Sequence, residues 1–231
     1  MIQFFMQKSK IYLLPGLMCD KRVFKNIYKS LKDEYELVYL DIPLKSSFKK
    51  MCESLYFKED KINLLGFSMG GYLATYYALQ NPKRIDNILI VSSSCCSLSI
   101  NEIEFRQKAI SFVKEFGFKP LSSKKAKSLI ENSDDEELIK LIQNMYNSMN
   151  EKYFLTQMQA SLYRNDLSNE IINSNLHFNF SYSKNDKLLN HDWFEKLKSV
   201  SNCSFNTLNS SSHMLTLEKS KFIVDEIRRV F

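Results

Sequence analysis

Short apolar runs alternate with stretches of helical periodicity over the first 97 residues of the chain. Each run is apolar throughout instead of alternating with polar positions, which is typical of strands buried on both faces of a parallel sheet. Strands are predicted at 11–14, 37–40, 62–65 and 88–91, and helices at about 21–31, 47–56 and 72–80. This rhythm predicts an α/β fold in which helices cover both faces of a mostly parallel sheet.

The pattern changes between residues 98 and 175, where no strand is predicted. Four stretches with helical spacing of their apolar residues follow one another at about 101–117, 122–132, 134–149 and 151–167. Strands resume at 176–182 and 203–208, with helices at about 193–198 and 217–230. We therefore expect a core formed by residues 1–97 and 176–231, with residues 98–175 inserted as a four-helix lid.

The most informative motif lies between the predicted strand at 62–65 and the helix that follows it. It reads Gly66-Phe67-Ser68-Met69-Gly70 and has the G-x-S-x-G pattern that a nucleophile elbow requires between a strand and a helix. Glycine at 66 and 70 removes Cβ atoms from a tight turn and tolerates unusual backbone angles. Ser68 is then exposed at the strand end, beside the positive end of the helix. The alternative interpretation is a glycine-rich turn with an ordinary serine.

A serine hydroxyl is a weak nucleophile and needs a base within hydrogen-bond reach. The chain has three histidines, and only His213 is expected at the same sheet edge as Ser68, because it follows the last predicted strand. His177 lies at the start of a strand, and His191 lies near a helix N-terminus, where a surface position is expected. We therefore predict that His213 is the base.

An imidazole base needs a carboxylate on its other nitrogen, which fixes the tautomer and stabilises the imidazolium. Asp186 follows the preceding strand and should lie in the neighbouring loop, and the chain order Ser68, Asp186, His213 fits the G-x-S-x-G arrangement. Asp192 is the competing candidate, and Asp186 could instead be a turn residue. The loop after the strand at 88–91 offers serines and no carboxylate.

Acyl transfer also needs hydrogen-bond donors for the oxyanion that forms on the attacked carbonyl group. The backbone amide of Met69, the residue after the nucleophile, is one predicted donor. The amide of Leu17 is the second, because Pro15-Gly16-Leu17 follows the first predicted strand. Glycine at position 16 lets the backbone approach the site closely.

Taken in chain order, these motifs resemble the landmarks of the α/β-hydrolase superfamily over nearly the whole chain. The resemblance rests on residues 14–20 (LPGLMCD), 66–71 (GFSMGG), 183–186 (SKND) and 212–214 (SHM) with Glu218. It implies the α/β-hydrolase fold and a serine hydrolase whose lid falls at 98–175, and residues 157–167 resemble the last lid helix of the family.

The sequence also departs from the family pattern without losing a catalytic group. Ser183 and Ser212 stand where the family commonly has glycine, and Pro15 replaces the usual histidine before Gly16. The two N-terminal strands of larger members are reduced to at most one, expected around residues 2–6.

Compact members of this family with a lid include esterases resembling the pimeloyl-[acyl-carrier-protein] methyl ester esterase of biotin synthesis. The resemblance therefore implies cleavage of a small-molecule carboxylic ester through an acyl-enzyme, with an acyl carrier protein as a candidate carrier of the substrate. Thioesterase, C–C bond hydrolase, lactonase and peptidase activities use the same triad and stay open. A non-catalytic binding protein of the same fold is the alternative from another class, although such proteins normally lose a triad member.

Composition and charge narrow the range of partners. The 231 residues are 44% hydrophobic and 25% charged, as in ordinary folded proteins. The net charge of +6 is spread along the chain, so nucleic-acid binding is not predicted. Residues 97–175 carry 10 Lys/Arg against 11 Asp/Glu. Docking of an acidic carrier would therefore need a local basic arrangement such as Arg106, Lys108, Lys124, Lys125 and Lys127.

The remaining motifs argue against a cofactor or a membrane location. The five cysteines show no C-x-x-C pair and no zinc spacing, which indicates reduced thiols. Dinucleotide and phosphate-binding glycine motifs are missing from the sequence, so no metal or organic cofactor is predicted. Neither a signal-peptide pattern nor an apolar stretch of membrane length occurs. We expect a cytoplasmic monomer or weak homodimer.

Overall fold

A parallel sheet forms the centre of the computed structural model, which describes residues 8–231. The strand expected around residues 2–6 lies outside the described residues. In that part of the chain the sheet has six strands in the order β2-β1-β3-β4-β5-β6, and every neighbouring pair is parallel. The strands are β1 (Ser9–Leu14), β2 (Tyr35–Tyr39), β3 (Ile62–Phe67), β4 (Ile85–Val91), β5 (Phe178–Ser183) and β6 (Cys203–Leu208). The predicted parallel sheet is confirmed.

Helices connect the strands and cover the sheet. Those of the core are α1 (Lys25–Leu31), α2 (Phe48–Glu53), α3 (Met69–Gln80), α9 (His191–Leu197), α10 (Leu215–Glu218) and α11 (Ser220–Val230). The first predicted helix begins as a 3₁₀ turn, Lys21–Phe24, because the Asp20 side chain accepts a hydrogen bond from the Arg22 amide. The last predicted helix is divided at Lys219, whose backbone is not helical.

Two apolar cores lie on opposite faces of the sheet, as the uninterrupted apolar strands predict. Neighbouring residues of β3 illustrate this, because Leu64 packs into one core and Leu65 into the other, both fully buried. The first core includes Tyr72 of α3 and Trp193 of α9. The second includes Ile27 of α1 and residues of α11. Burial on both faces fixes the register of each strand and hence the positions of the loops at its carboxyl end.

Residues 98–175 form a helical segment between β4 and β5. Its helices are α4 (Ile100–Phe116), α5 (Ser123–Lys127), α6 (Glu136–Asn147), α7 (Glu151–Leu162) and α8 (Ser168–Ile172). Four of them correspond to the predicted helices, and α8 is additional. The helix expected to run to residue 132 ends at Lys127, because the backbone beyond it turns to contact the loop before α10.

The helical segment packs in two parts. Ala126 of α5 and Ile139 of α6 join the core that contains α1. In contrast, α4 and α7 form a third cluster, in which Ile110 and Met158 pack around Met18 from the loop after β1. One part of the segment therefore extends the core, and the other part rests on the carboxyl edge of the sheet.

The structure describes the state of the cysteines and the apolar character of the helices. All five cysteines are free. Cys95 and Cys96 are buried directly after β4, and burial raises the pKa of the Cys95 thiol to about 12. None of the helices within residues 8–231 combines the length and apolar character required to cross a membrane.

A buried carboxylate ties α11 to the sheet. Glu226 is 3% exposed and accepts hydrogen bonds from Asn206 Nδ2 at 2.6 Å, Ser181 Oγ at 3.0 Å and Arg229 Nη2 at 2.8 Å. Burial alone would raise the pKa of this carboxyl group, but the hydrogen bonds from Arg229, Asn206 and Ser181 outweigh burial and lower it. The carboxylate therefore stabilises the folded state when it is ionised.

We expect Glu226→Gln to lower the free energy of unfolding by about 1–3 kcal/mol at pH 7, because the charged hydrogen bonds are lost. The folded-state pKa lies below the unfolded value of about 4.3, so the contribution is complete above that pH and disappears as the pH falls through the folded-state pKa. Urea unfolding of both proteins at pH 7 and at progressively lower pH measures the difference.

Asp225→Asn is the matched control, because Asp225 lies on the same helix and forms an exposed ion pair with Lys221 at 2.8 Å. Such a pair contributes about 0.5 kcal/mol or less, so this variant should unfold almost like the parent chain. A difference for Glu226→Gln that stays undiminished as the pH falls well below about 4.3 would contradict the assignment.

Candidate active site

Ser68 lies at the turn where the chain leaves β3 and enters α3. Its φ of 51° and ψ of −116° are strained for a residue with a side chain, at a cost of roughly 1–3 kcal/mol. The Ser68 amide donates to the Val91 carbonyl at 2.9 Å, and the Ser68 carbonyl accepts from the Gly71 amide at 2.9 Å. The turn is thus held by the neighbouring strand on one side and by the first turn of α3 on the other.

The glycines on either side of this serine are required because a side chain would not fit there, and not because their own backbone angles are unusual. Gly66 and Gly70 were expected to relieve backbone strain, but neither has a positive φ, and the strain falls on Ser68 itself. A Cβ on Gly66 would overlap the Gly70 carbonyl, and one on Gly70 would overlap the Leu14 carbonyl. Strand, helix and the loop after β1 approach one another too closely here for any side chain at those positions.

The structure brings Ser68, His213 and Asp186 into one hydrogen-bonded chain. His213 Nε2 is 3.0 Å from Ser68 Oγ, and His213 Nδ1 is 2.7 Å from Asp186 Oδ2. Asp186 is 1% exposed and His213 is 7% exposed, whereas Ser68 is half-buried. The three residues follow β3, β5 and β6, whose carboxyl ends meet at one edge of the sheet. A hydroxyl, an imidazole and a carboxylate in this order can pass a proton from serine to histidine.

The other titratable candidates lie apart from this arrangement. Asp192 is exposed in the first turn of α9. The exposed His177 contacts Ser204 Oγ through Nε2 at 2.7 Å. His191 is half-buried, and its Nε2 lies 2.8 Å from the carbonyl oxygen of Asp186. His191 is therefore a neighbour of the loop that carries Asp186 and makes no recorded contact with Ser68.

Two serines join the loops that carry the acid and the histidine. Ser183 Oγ donates to the Ser212 carbonyl at 2.6 Å, and both residues are fully buried. The Asp186 carboxylate also accepts a hydrogen bond from the Leu188 amide at 2.9 Å, which fixes its second oxygen. The side chain at position 183 thus bonds to the main chain at position 212, and this bond holds the Asp186 and His213 loops together.

The loop after β1 passes close to Ser68. A Cβ on Gly16 would lie 3.3 Å from the Ser68 Cβ and 2.9 Å from the Phe67 ring, so only glycine fits without displacing them. The next amide along the chain is that of Leu17. Within residues 8–231, neither this amide nor that of Met69 donates to a protein acceptor. Both are thus available to another acceptor.

Gln157 of α7 holds this loop from the opposite side. Its Oε1 accepts a hydrogen bond from the Met18 amide at 2.8 Å, and both residues are buried. Met18 has a left-handed φ of 54°, so the loop turns sharply directly after Leu17. The resemblance of residues 157–167 to the family's last lid helix assigns Gln157 no role; the available signal was a polar residue among the apolar positions of a predicted helix.

A second contact from the helical segment supports the histidine loop. The Leu129 carbonyl accepts from the His213 amide at 3.0 Å and from the Met214 amide at 3.2 Å. The Glu218 carboxylate of α10 in turn accepts from the Glu131 and Asn132 amides at 2.9 and 2.7 Å. The stretch after α5 therefore fixes the backbone of His213.

The basic residues considered for carrier docking differ in exposure and lie on two helices, α4 and α5. Arg106 is half-buried, and its Nη1 donates to Ser161 Oγ at 2.7 Å. Lys127 lies 3.4 Å from the Glu136 carboxylate. Lys108 is exposed on α4, whereas Lys124 and Lys125 are exposed on α5.

Two open surface cavities formed by residues of the described range lie away from Ser68. One, of about 470 Å³, is lined by residues of α1 and β2, and the other, of about 410 Å³, lies along α4. Their linings contain none of the residues of the serine, histidine and aspartate chain. The site is consequently identified by its hydrogen bonds and not by the size of its opening.

Comparison with known proteins agrees with this architecture. A family model described as the alpha/beta hydrolase fold matches residues 55–117. Abhydrolase domain-containing protein abhd-5.2 of Caenorhabditis elegans is 46% identical over 54 residues, which are 22% of this chain and 11% of that protein. The pimeloyl-[acyl-carrier protein] methyl ester esterase of Legionella pneumophila (strain Corby) is 29% identical over 97 residues, which are 38% of this chain and 39% of the relative.

Among solved structures, the enol-lactonase from Burkholderia xenovorans superposes with a TM-score of 0.83 at 14% identity, over 98% of this chain and 92% of that one. At this identity the superposition concerns the fold alone. The sequence matches span less than half the length of the curated relatives named above. Together with the parallel sheet and the turn at Ser68, these findings establish that the chain has the α/β-hydrolase fold.

Proposed function

We propose that this α/β-hydrolase-fold chain is a serine hydrolase that cleaves carboxylic esters through an acyl-enzyme. Ser68 Oγ attacks the ester carbonyl while His213 Nε2 takes its proton. Asp186 holds the imidazole in the required tautomer and stabilises the imidazolium. The same histidine then protonates the leaving alcohol, and a water molecule activated in the same way releases the acid. The observation that carries the proposal is the continuous hydrogen-bonded chain from Ser68 through His213 to Asp186.

The oxyanion is assigned to the amides of Leu17 and Met69. Both are without a protein acceptor in the part of the chain that the structure describes, and Met69 is the first residue of α3, where helical amides point at an anion. Gly16 supports the assignment, because its missing side chain lets the Leu17 backbone approach Ser68. Residues 98–175 act in this proposal as a lid over the core of residues 1–97 and 176–231.

Hydrolysis of p-nitrophenyl esters from acetate to palmitate tests the proposal directly. We expect turnover by the parent chain and a loss of at least about 10³-fold for Ser68→Ala, because the covalent step is removed. A fluorophosphonate probe should label the parent chain and leave Ser68→Ala unlabelled. The chain-length optimum then measures the depth of the acyl pocket.

Ser204→Ala is a suitable control, because it removes another serine hydroxyl at a distance from the site and should leave both readouts unchanged. Ester cleavage that persists in Ser68→Ala would contradict the proposed nucleophile. A well-folded parent chain that neither cleaves any ester nor reacts with the probe would favour a non-catalytic binding protein.

Gln157 acts in this proposal as a positioning residue for the Leu17 amide. We expect Gln157→Leu to lower kcat by about tenfold or more with little change in KM, since a misplaced oxyanion donor costs up to about 10²–10³-fold. Steady-state kinetics on the preferred p-nitrophenyl ester measures this effect. Gln159→Leu, an exposed position on the same helix, serves as the control. Equal losses in the two variants, or a change confined to KM, would contradict the positioning role.

The candidate substrate that the curated relatives favour is a pimeloyl-carrier-protein methyl ester. The relative from Legionella pneumophila carries that activity in its name and is 29% identical to this chain over 97 residues. We expect the chain to release methanol from this compound and to rescue growth of a strain that lacks the corresponding esterase. Failure of both experiments, with p-nitrophenyl esters still cleaved, would reject this substrate and retain the esterase.

A further inference from the structure

Two arginines near the proposed catalytic centre have no acidic partner. Arg22, Arg228 and Arg229 each form an ion pair with a carboxylate. Within residues 8–231, Arg84, Arg106 and Arg164 form none, and all their hydrogen-bond partners are neutral groups. Arg84 binds the Phe57 and Glu59 carbonyls before β3, whereas Arg106 and Arg164 belong to the helical segment. A partly buried guanidinium without a counter-charge is costly, so its presence calls for an explanation.

Arg106 extends from α4 towards α7. Its Nη1 donates to Ser161 Oγ at 2.7 Å and lies 3.9 Å from Met158 Sδ. Burial, together with the charge of Arg164, lowers the pKa of Arg106 to about 10, which still leaves the group charged at neutral pH. The carboxylate of Glu102 acts in the opposite direction but forms no ion pair with it.

Arg164 approaches the same region from the end of α7. Its Nε donates to the Cys96 carbonyl at 2.8 Å, and its Nη2 lies 3.4 Å from the Ser94 carbonyl. The guanidinium lies over the ring of Tyr72, 5.1 Å from the centroid. These contacts fix Arg164 beside the carboxyl end of β4 and leave its Nη1 without a partner among the described residues.

Both guanidinium groups contact residues that lie one helical turn away from groups of the proposed site. Ser161, which binds Arg106, follows Gln157 by four residues on α7, and Gln157 holds the loop of the oxyanion donor. Tyr72, which Arg164 covers, follows Ser68 by four residues on α3. One turn of helix is about 5.4 Å, so Ser161 connects Arg106 to the loop that Gln157 holds, and Tyr72 connects Arg164 to the helix that begins at Ser68.

We propose that Arg106 and Arg164 bind a carboxylate at the far end of the acyl chain, so that the substrate is a monoester of a short dicarboxylic acid. This inference rests on the proposed esterase function and names its substrate class. A carboxylate matches the forked donors of guanidinium groups and supplies the missing counter-charge to both. In a pimeloyl-carrier-protein methyl ester the far end of the acyl chain is joined to the carrier and is not a free carboxylate. That substrate would therefore not supply the counter-charge to these arginines, whereas a dicarboxylic monoester would.

The test compares esters of equal length with and without the second carboxylate. The parent chain should prefer the p-nitrophenyl monoester of glutaric acid to p-nitrophenyl valerate. Arg106→Gln retains a donor for Ser161, and we expect it to lower kcat/KM for the glutarate ester by about tenfold to hundredfold, mainly through KM, while valerate hydrolysis changes less than about twofold. Lys114→Gln, which removes an exposed charge from the same helix, should affect neither ester.

Calorimetry on the Ser68→Ala protein with glutarate monomethyl ester measures binding without turnover. We expect saturable binding that weakens at least about tenfold when Arg106→Gln is added. Equal losses on both esters would assign Arg106 a structural role, and the lack of calorimetric binding would overturn the carboxylate site. A chain that binds the monoester but hydrolyses neither p-nitrophenyl ester would retain the anion site and reject the esterase.

Discussion

The left-handed backbone of Ser68 is the constraint on which the rest of the site depends. Its unfavourable φ is maintained because Ser68 lies between the buried, paired strand β3 and the first residue of α3. In addition, the Ser68 amide donates a hydrogen bond to the Val91 carbonyl. The same tight turn requires glycine at 66 and 70, because any Cβ there would overlap main-chain atoms. The free energy of sheet and helix packing thus offsets the local strain and presents one hydroxyl at the sheet edge.

The helical segment does more than cover this edge, since it holds two of the loops that build the site. Gln157 binds the Met18 amide on one side of Ser68, and the Leu129 carbonyl binds the His213 amide on the other. Because α5 and α6 also pack into the core that contains α1, the second contact is anchored firmly. A change in the packing of α4 and α7 would act first on the loop that carries Leu17, the proposed oxyanion donor.

Much of this arrangement could be predicted from the sequence because it depends on topology. In a parallel sheet, residues that directly follow β3, β5 and β6 must meet at one edge, so Ser68, Asp186 and His213 were expected together. Contacts between distant loops have no such signal. The resemblance of residues 157–167 to a lid helix does not show what Gln157 binds, and the bond from Ser183 Oγ goes to a main-chain carbonyl, which no residue type at position 212 indicates. Arg106 was grouped with exposed basic residues because periodicity does not show that its guanidinium turns inward to Ser161.

The distribution of charge separates the general chemistry of the site from its specificity. The serine, imidazole and carboxylate chain satisfies its own hydrogen bonds, and Asp186 finds its counterpart in His213, so this part of the site needs nothing from the acyl group except a carbonyl. The guanidinium groups of Arg106 and Arg164 are satisfied only by neutral partners and keep their charge uncompensated. A neutral acyl chain would leave that electrostatic cost in place, whereas an anionic one removes it on binding. In the proposed esterase, selectivity therefore follows from the helical segment, while the loops at the sheet edge supply a reaction centre common to many esters.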